Sequence, residues 1–150
     1  MGSGPFPTEL FDETGATLRR IGHEYGAVTG RERRCGWLDL VALKYSTLNN
    51  RVTQLIMMKS DVMNDFETVR VATAYKVNGV VTDEFPFSIE EDVEPVYTDF
   101  EGWKCDLRAC RTYEELPEAF KRYVDFIEQQ TGVPVKVISV GPDRDETVLR

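Results

Sequence analysis

The sequence predicts an α/β fold of mostly parallel strands with flanking helices, plus a β-hairpin. Three observations carry this. Two short apolar runs, Gln54–Met58 and Val135–Val140, each break off in a polar turn, as buried parallel strands do. Each run follows a stretch with helical spacing of its apolar residues, 37–49 and 113–130. Between them, Glu67–Val77 alternates apolar and polar residues and is closed by Asn78-Gly79, the strongest short hairpin signal.

Taken in order, Gly2-Ser3-Gly4-Pro5-Phe6-Pro7 reads as loop, because each proline biases its predecessor away from helix. It is a loop-like opening for a domain, so Met1 is expected to begin a piece of a longer protein. Residues 8–11 show no clear period, and 15–25 are expected to make one or two helical turns before Gly22 and Gly26 interrupt. From Trp37 to Asn49, Trp37, Leu40, Val41 and Leu48 mark one helix, with Asn49-Asn50 as its stop. Val80-Val81-Thr82 returns from the hairpin, and Val93–Phe100 is a further strand. Residues 102–110 are loop. The helix over Tyr113–Gln130 buries Leu116, Phe120, Tyr123, Val124 and Ile127, with Pro117 near its start and Gly132 as its C-cap. Neither an internal repeat nor a low-complexity segment is present.

With 150 residues and 41% hydrophobic side chains, the chain suits one domain or part of one, with a sizeable core. Its net charge of −8 would repel a phosphodiester backbone, which argues against nucleic-acid binding. No apolar stretch approaches a membrane span, and no signal peptide opens the chain. Three cysteines without a CxxC pair (Cys35, Cys105 and Cys110) read as reduced thiols, consistent with a cytoplasmic protein, and leave little for a small oxidoreductase. His23, the single histidine, suits a structural or surface role better than a catalytic one.

On this acidic background one basic stretch stands out: Gly26-Ala27-Val28-Thr29-Gly30-Arg31-Glu32-Arg33-Arg34-Cys35-Gly36-Trp37. Glycine permits close backbone approach and arginine offers a planar fork of donors, so the stretch suits a small anionic ligand. A solvated basic turn is the other reading of the same string. Lys59 and Asp61 lie just past an apolar strand, where ligands of open α/β sheets bind. A carboxylate there can accept two hydrogen bonds from a guanine edge, a donor pair that adenine lacks. The lysine stem can lie along the ring. A solvated turn pair is the alternative. Neither GxxxxGK[ST] nor GxGxxG occurs.

The order of these pieces carries a resemblance. Gly4-Pro5-Phe6-Pro7-Thr8-Glu9, the 26–37 stretch, Lys59-Ser60-Asp61-Val62, Gly132-Val133-Pro134 and Ser139-Val140-Gly141-Pro142 resemble the carboxyl-terminal third of adenylosuccinate synthetase, over essentially all 150 residues. The resemblance implies a single incomplete domain, residues 1–150, within a larger P-loop-NTPase-like fold. It also implies a reaction in which GTP, IMP and L-aspartate give adenylosuccinate, GDP and phosphate with magnesium, in a cytoplasmic homodimer. Carried over by position, Ala27, Val28, Thr29, Gly30, Arg31, Glu32 and Arg33 form the aspartate-binding loop. Thr29 and Gly30 would meet the aspartate carboxylates through a hydroxyl and a backbone N–H. Arg31 also reaches IMP, and Arg33 the GTP side. Lys59, Ser60, Asp61, Ser139, Val140 and Gly141 form the GTP site, with Pro142 against the base.

Val28, Glu32 and Met58 depart from the family pattern, and Glu32 is expected to pair with Arg33 or Arg34. The phosphate loop, catalytic residues and magnesium ligands of the family lie upstream of this chain's first residue. The chain alone is therefore expected to be inactive and prone to self-association. The implied arginine loop and lysine–aspartate turn are expected to serve one cleft. The rival reading is a non-catalytic module that binds a dicarboxylate, a guanine nucleotide or a partner subunit.

Overall fold

A computed structural model describes residues 4–86 and 93–150, so Gly2 and Ser3 of the predicted opening loop lie outside the described residues. The chain forms two compact units: Met1–Tyr45 with Arg70–Asp99, and Ser46–Val69 with Phe100–Arg150.

The first unit begins with a turn closed by Glu9 N–H to the Phe6 carbonyl, then α1 (Glu13–Ile21). Asp12 caps α1 by accepting from Gly15 N–H, and Arg19 and Arg20 sit in its last turn, complementing the helix dipole. The predicted one or two helical turns are thus a capped helix starting two residues earlier. A short bridge between Glu9 and Gly36 brings the chain back, and buried Trp37 leads into β1 (Leu38–Asp39). β1 pairs in parallel with β3 (Thr68–Val77) through Leu38–Val71 and Asp39–Ala72. The helix expected from Trp37 therefore starts later, as α2 (Leu40–Asn49), because residues 38–39 are taken into the sheet.

Asp39 serves both neighbours. Its Oδ1 accepts from Ala42 N–H at the helix start, and its Oδ2 accepts from the Tyr75 hydroxyl at 2.5 Å. Tyr75 is fully buried, and burial together with this carboxylate pushes its phenol far above the ordinary value. The hairpin forms as expected: β3 turns through Asn78 (φ 49°) and Gly79 (φ 84°) into antiparallel β4 (Val80–Thr82). β5 (Val93–Glu101) also pairs with β3, with Thr73 and Thr98 hydroxyls 3.0 Å apart.

The second unit holds β2 (Leu55–Met57), β6 (Val135–Ser139) and β7 (Thr147–Leu149) in the order β2-β6-β7. β2 and β6 are parallel, and β7 runs antiparallel to β6. Among the registers described, parallel and antiparallel pairs occur in both units, so the α/β class holds with a mixed pairing pattern. α3 (Glu118–Thr131) buries Phe120, Tyr123, Val124 and Ile127, four members of the predicted stripe, and ends at Gly132 in the left-handed region; the fifth, Leu116, is buried but lies before the helix. It starts later than the periodicity suggests, since Pro117 stands just before its first residue. Trp103 packs edge-on to Phe120, with ring centroids 4.9 Å apart.

β2 is less buried than its apolar run suggests. It lies at the edge of its sheet, with Ile56 and Met58 mostly exposed. Ile56 stands opposite Val137, and Val137 opposite exposed Leu149, so the three form an apolar row on one sheet face. Among the described residues no helix is long and apolar enough to cross a membrane.

Candidate functional site

The candidate residues fall in different units, and each group is built by its own local structure. In the first unit, α1 ends at Gly22, and exposed His23 turns the chain through a left-handed conformation (φ 51°). A narrow loop follows. Arg33 N–H donates to the Glu24 carbonyl, Tyr25 bridges Glu32, and Gly26 N–H donates to the Arg31 carbonyl at 2.8 Å. Ala27, Val28, Thr29, Gly30, Arg31 and Glu32 are exposed at its tip.

The arginines of this loop are not equivalent. Arg33 pairs with Glu24 at 2.9 Å, and Arg34 with Glu9 at 2.6 Å. Arg34 also lies over the Phe6 ring. Arg19 donates to the Arg33 carbonyl and pairs with Glu32 at 3.4 Å. Glu32 therefore does not pair with Arg33 or Arg34 as expected, because α1 offers a cation that the linear sequence does not place beside it. The Arg31 guanidinium has no polar partner among the described residues.

Gly30 was expected to offer its N–H to a carboxylate. That N–H instead closes the loop on the Gly26 carbonyl at 2.9 Å, and the residue's contribution is a bend at φ 65°. The amides of Ala27, Val28 and Thr29 have no partner among the described residues. The Thr29 oxygen accepts from Arg31 N–H at 3.4 Å, which leaves its O–H to donate. The tip thus presents one guanidinium, a hydroxyl and three backbone amides, a donor set suited to a carboxylate.

In the second unit, the parallel register of Met57 with Ile138 sets the ends of β2 and β6 side by side. Lys59-Ser60-Asp61 and Ser139-Val140-Gly141 leave the sheet from these two ends. Lys59 adopts a left-handed conformation (φ 56°) and starts a short 3-10 turn, Ser60–Met63. Ser60 is buried, and its hydroxyl has no partner among the described residues. Asp61 is partly buried. Burial is the chief cause that raises its carboxyl above the ordinary aspartate value; its own backbone N–H and Arg108 oppose the rise, and Glu146 and Asp106 add to it.

Across from it, Ser139 donates from Oγ to the Gly141 carbonyl at 3.0 Å, and Val140 is fully buried. Val140 N–H donates to the Glu146 carbonyl, and Glu146 N–H to the Asp143 carbonyl. Glu146 is itself buried, with Arg108 Nε at 2.9 Å from Oε1 and Asp143 N–H at 3.0 Å from Oε2. Sequence reasoning missed Arg108 and Glu146. The run Asp143-Arg144-Asp145-Glu146 looks like a solvated turn, and only the fold distinguishes its last member.

An open concavity in this unit is lined by Arg111, Thr112, Tyr113, Thr147, Leu149 and Arg150, together with Glu114, and includes none of the predicted site residues. Arg150 within it already pairs with Glu128 and Asp125 and stacks on Tyr113. The three cysteines are free, Cys35 and Cys110 buried and Cys105 exposed. No group of three or more His, Cys, Asp or Glu side chains converges as metal ligands would among the described residues.

The sequence profile described as "Adenylosuccinate synthetase" matches residues 1–148. The chain is 61% identical over 150 residues to the adenylosuccinate synthetase of Phocaeicola vulgatus and 57% identical to that of Parabacteroides distasonis. It spans 36% of the length of each of these curated relatives. It is also similar to a solved structure, that of fully ligated adenylosuccinate synthetase from Plasmodium falciparum. There the TM-score is 0.93 at 38% identity, covering 100% of this chain and 37% of the other.

Proposed function

The chain belongs to the adenylosuccinate synthetase family, and from that premise we propose that it is the carboxyl-terminal third of such an enzyme, the part that recognises guanine and L-aspartate. The whole enzyme joins IMP and L-aspartate at the expense of GTP, giving adenylosuccinate, GDP and phosphate. It is a cytoplasmic homodimer in this reading.

The observation that carries the proposal is the parallel pairing of β2 with β6. It brings the lysine–aspartate turn and the Ser139–Gly141 turn to neighbouring strand ends, where ligands of α/β sheets bind. Asp61 accepts the ring N–H and exocyclic amine of guanine; adenine would leave the carboxylate unpaired. The Lys59 stem and the Ser139-Val140-Gly141 turn, followed by Pro142, enclose the base. In the other unit, Arg31, the Thr29 hydroxyl and the loop amides take the carboxylates of aspartate. Arg31 also reaches the IMP ribose, and Arg33, now held by Glu24, serves the GTP side.

Magnesium belongs with the GTP phosphates, where it would neutralise developing charge. Its ligands are assigned to parts of the enzyme outside this chain, and none of the described residues is given a role in holding it. With the phosphate-binding and proton-transfer groups also assigned elsewhere, the chain alone does not turn over.

The test is a nuclear magnetic resonance titration of the 150-residue chain with GDP and with ADP. GDP is expected to shift Lys59–Asp61 and Ser139–Gly141 at concentrations where ADP does not. Asp61→Asn is expected to cut the preference by about 10- to 100-fold, as loss of charge-assisted hydrogen bonds does. Equal response to both nucleotides, before and after the substitution, would remove the guanine assignment. Formation of adenylosuccinate by the pure chain would refute its inactivity.

A further inference from the structure

We propose that Arg108 and Glu146 are the positioning pair of the guanine site: Glu146 holds the turn after β6 in its base-facing shape, and Arg108 fixes Glu146 and balances its charge beside Asp61. This rests on the guanine assignment above.

A buried carboxylate is costly unless it is paired and hydrogen-bonded. Glu146 meets both conditions: its bonds to Asp143 and Val140 close the turn after β6, and its bond to Arg108 ties that turn to the 107–109 segment. Oε2 accepts from Asp143 N–H, Oε1 accepts from Arg108 Nε, and the backbone of Glu146 bonds Val140 and Asp143. The carboxylate also explains Gly141. This glycine is not among those in the left-handed region, so its identity is not a matter of φ. A Cβ there would overlap Glu146 Oε2. The turn carrying Ser139 and Gly141 is therefore shaped around the Glu146 carboxylate.

Arg108 is anchored relative to Asp61 by a polar chain. Asn64, just past the Ser60–Met63 turn, donates to Asp106 Oδ1 and accepts from Trp103 Nε1 and Leu107 N–H. Asp106 in turn accepts from Arg108 N–H. The turn bearing Asp61 and the turn bearing Arg108 are thus fastened together. The charged groups acting on Asp61 are Arg108, Glu146 and Asp106, so the Arg108 cation is shared between two carboxylates, one structural and one assigned to the base.

The two members predict opposite pH effects, which a mere brace would not give. Guanine recognition requires Asp61 ionised. Arg108→Ala removes a cation and should move the acid midpoint of GDP binding to higher pH. Glu146→Gln removes an anion and should move it lower, while cutting the GDP-over-ADP preference by about tenfold, the loss of a charge-assisted hydrogen bond. Arg108→Lys should restore the midpoint but not the full preference, because an ammonium lacks the planar fork.

The experiment is the GDP and ADP titration repeated from acid to neutral pH on the wild-type chain and these three variants, with thermal melts alongside. Opposite midpoint shifts with rescue by lysine support the pair. If the wild type prefers GDP while Arg108→Ala and Glu146→Gln leave midpoint and preference unchanged, the positioning role is overturned and the guanine site stands. Lower melting temperatures with unmoved midpoints also overturn it, leaving a structural brace. If the wild type shows no preference, the guanine assignment falls and the pair's role with it. Arg108 is 48% exposed at its side chain, so its variants should fold even if Glu146→Gln does not.

Discussion

Met57 of β2 stands directly opposite Ile138 of β6 in parallel register. β2 ends at Met57 and β6 one residue past Ile138, at Ser139, so the chain leaves both strands at the same end of the sheet. This one pairing decides which loops leave from adjacent strand ends, although some eighty residues separate them in sequence. Its consequences, and those of the local structures around it, can be measured.

The Asp61 carboxyl is raised chiefly by burial, so the folded chain holds its proton more tightly than the unfolded chain does. The sign follows by linkage: Asp61's contribution to stability falls as pH rises between the ordinary aspartate value and the raised one. GDP binding should gain over that same window. Asp61→Asn should remove this acid limb of binding and raise the urea midpoint at neutral pH but not at pH below the window. An unchanged acid limb in the variant would separate the titration from Asp61.

Tyr75→Phe removes the hydroxyl that donates to Asp39 inside the first unit. A hydrogen bond to a charged partner contributes about 1.5–3 kcal/mol, so urea unfolding should show a loss of that order. A loss below a few tenths would mean that Asp39 finds an equivalent donor.

At Gly36 a Cβ would overlap the Thr8 backbone carbonyl, where the chain returns past Glu9. A backbone atom yields less readily than a flexible side chain. Gly36→Ala should therefore cost about 1–3 kcal/mol, in the range of overpacked sites. Gly4→Ala, with nothing within 4 Å, is the matched control and should be nearly neutral.

The apolar row of Ile56, Val137 and Leu149 lies on an exposed sheet face, next to the β2 edge. Such faces and edges promote association. Ile56→Lys with Leu149→Lys should raise the concentration at which sedimentation detects oligomers by about tenfold, equivalent to 1.4 kcal/mol. A wild-type chain that sediments as a monomer and melts independently of concentration would count against the prediction.

Much of this was legible from residue patterns. Asn78-Gly79 specified its hairpin because both residues tolerate positive φ. The stripe from Phe120 to Ile127 announced its buried face by spacing alone. The strand-end position of Lys59 and Asp61 followed from an apolar run meeting a polar turn. What stayed hidden depended on partners far along the chain. Leu38 and Asp39 read as helix until β3 supplies a strand for them to join. Ile56 reads as buried until the sheet order leaves β2 at an edge. Glu146 reads as one more surface acid until Arg108, 38 positions away, meets it. Glu32 found its cation on α1, which sequence periodicity outlined only vaguely.

The division of labour among the loop arginines affects how a ligand would arrive. With Arg33 and Arg34 neutralised by Glu24 and Glu9, the positive character of the stretch survives mainly at Arg31. The chain as a whole carries −8, so an anion drifting in from solution meets net repulsion at distances beyond contact. Capture then depends on the last few ångströms, where one guanidinium and a handful of amides take over. Added salt, which ordinarily slows the meeting of opposite charges, should here speed it by veiling the acidic surroundings.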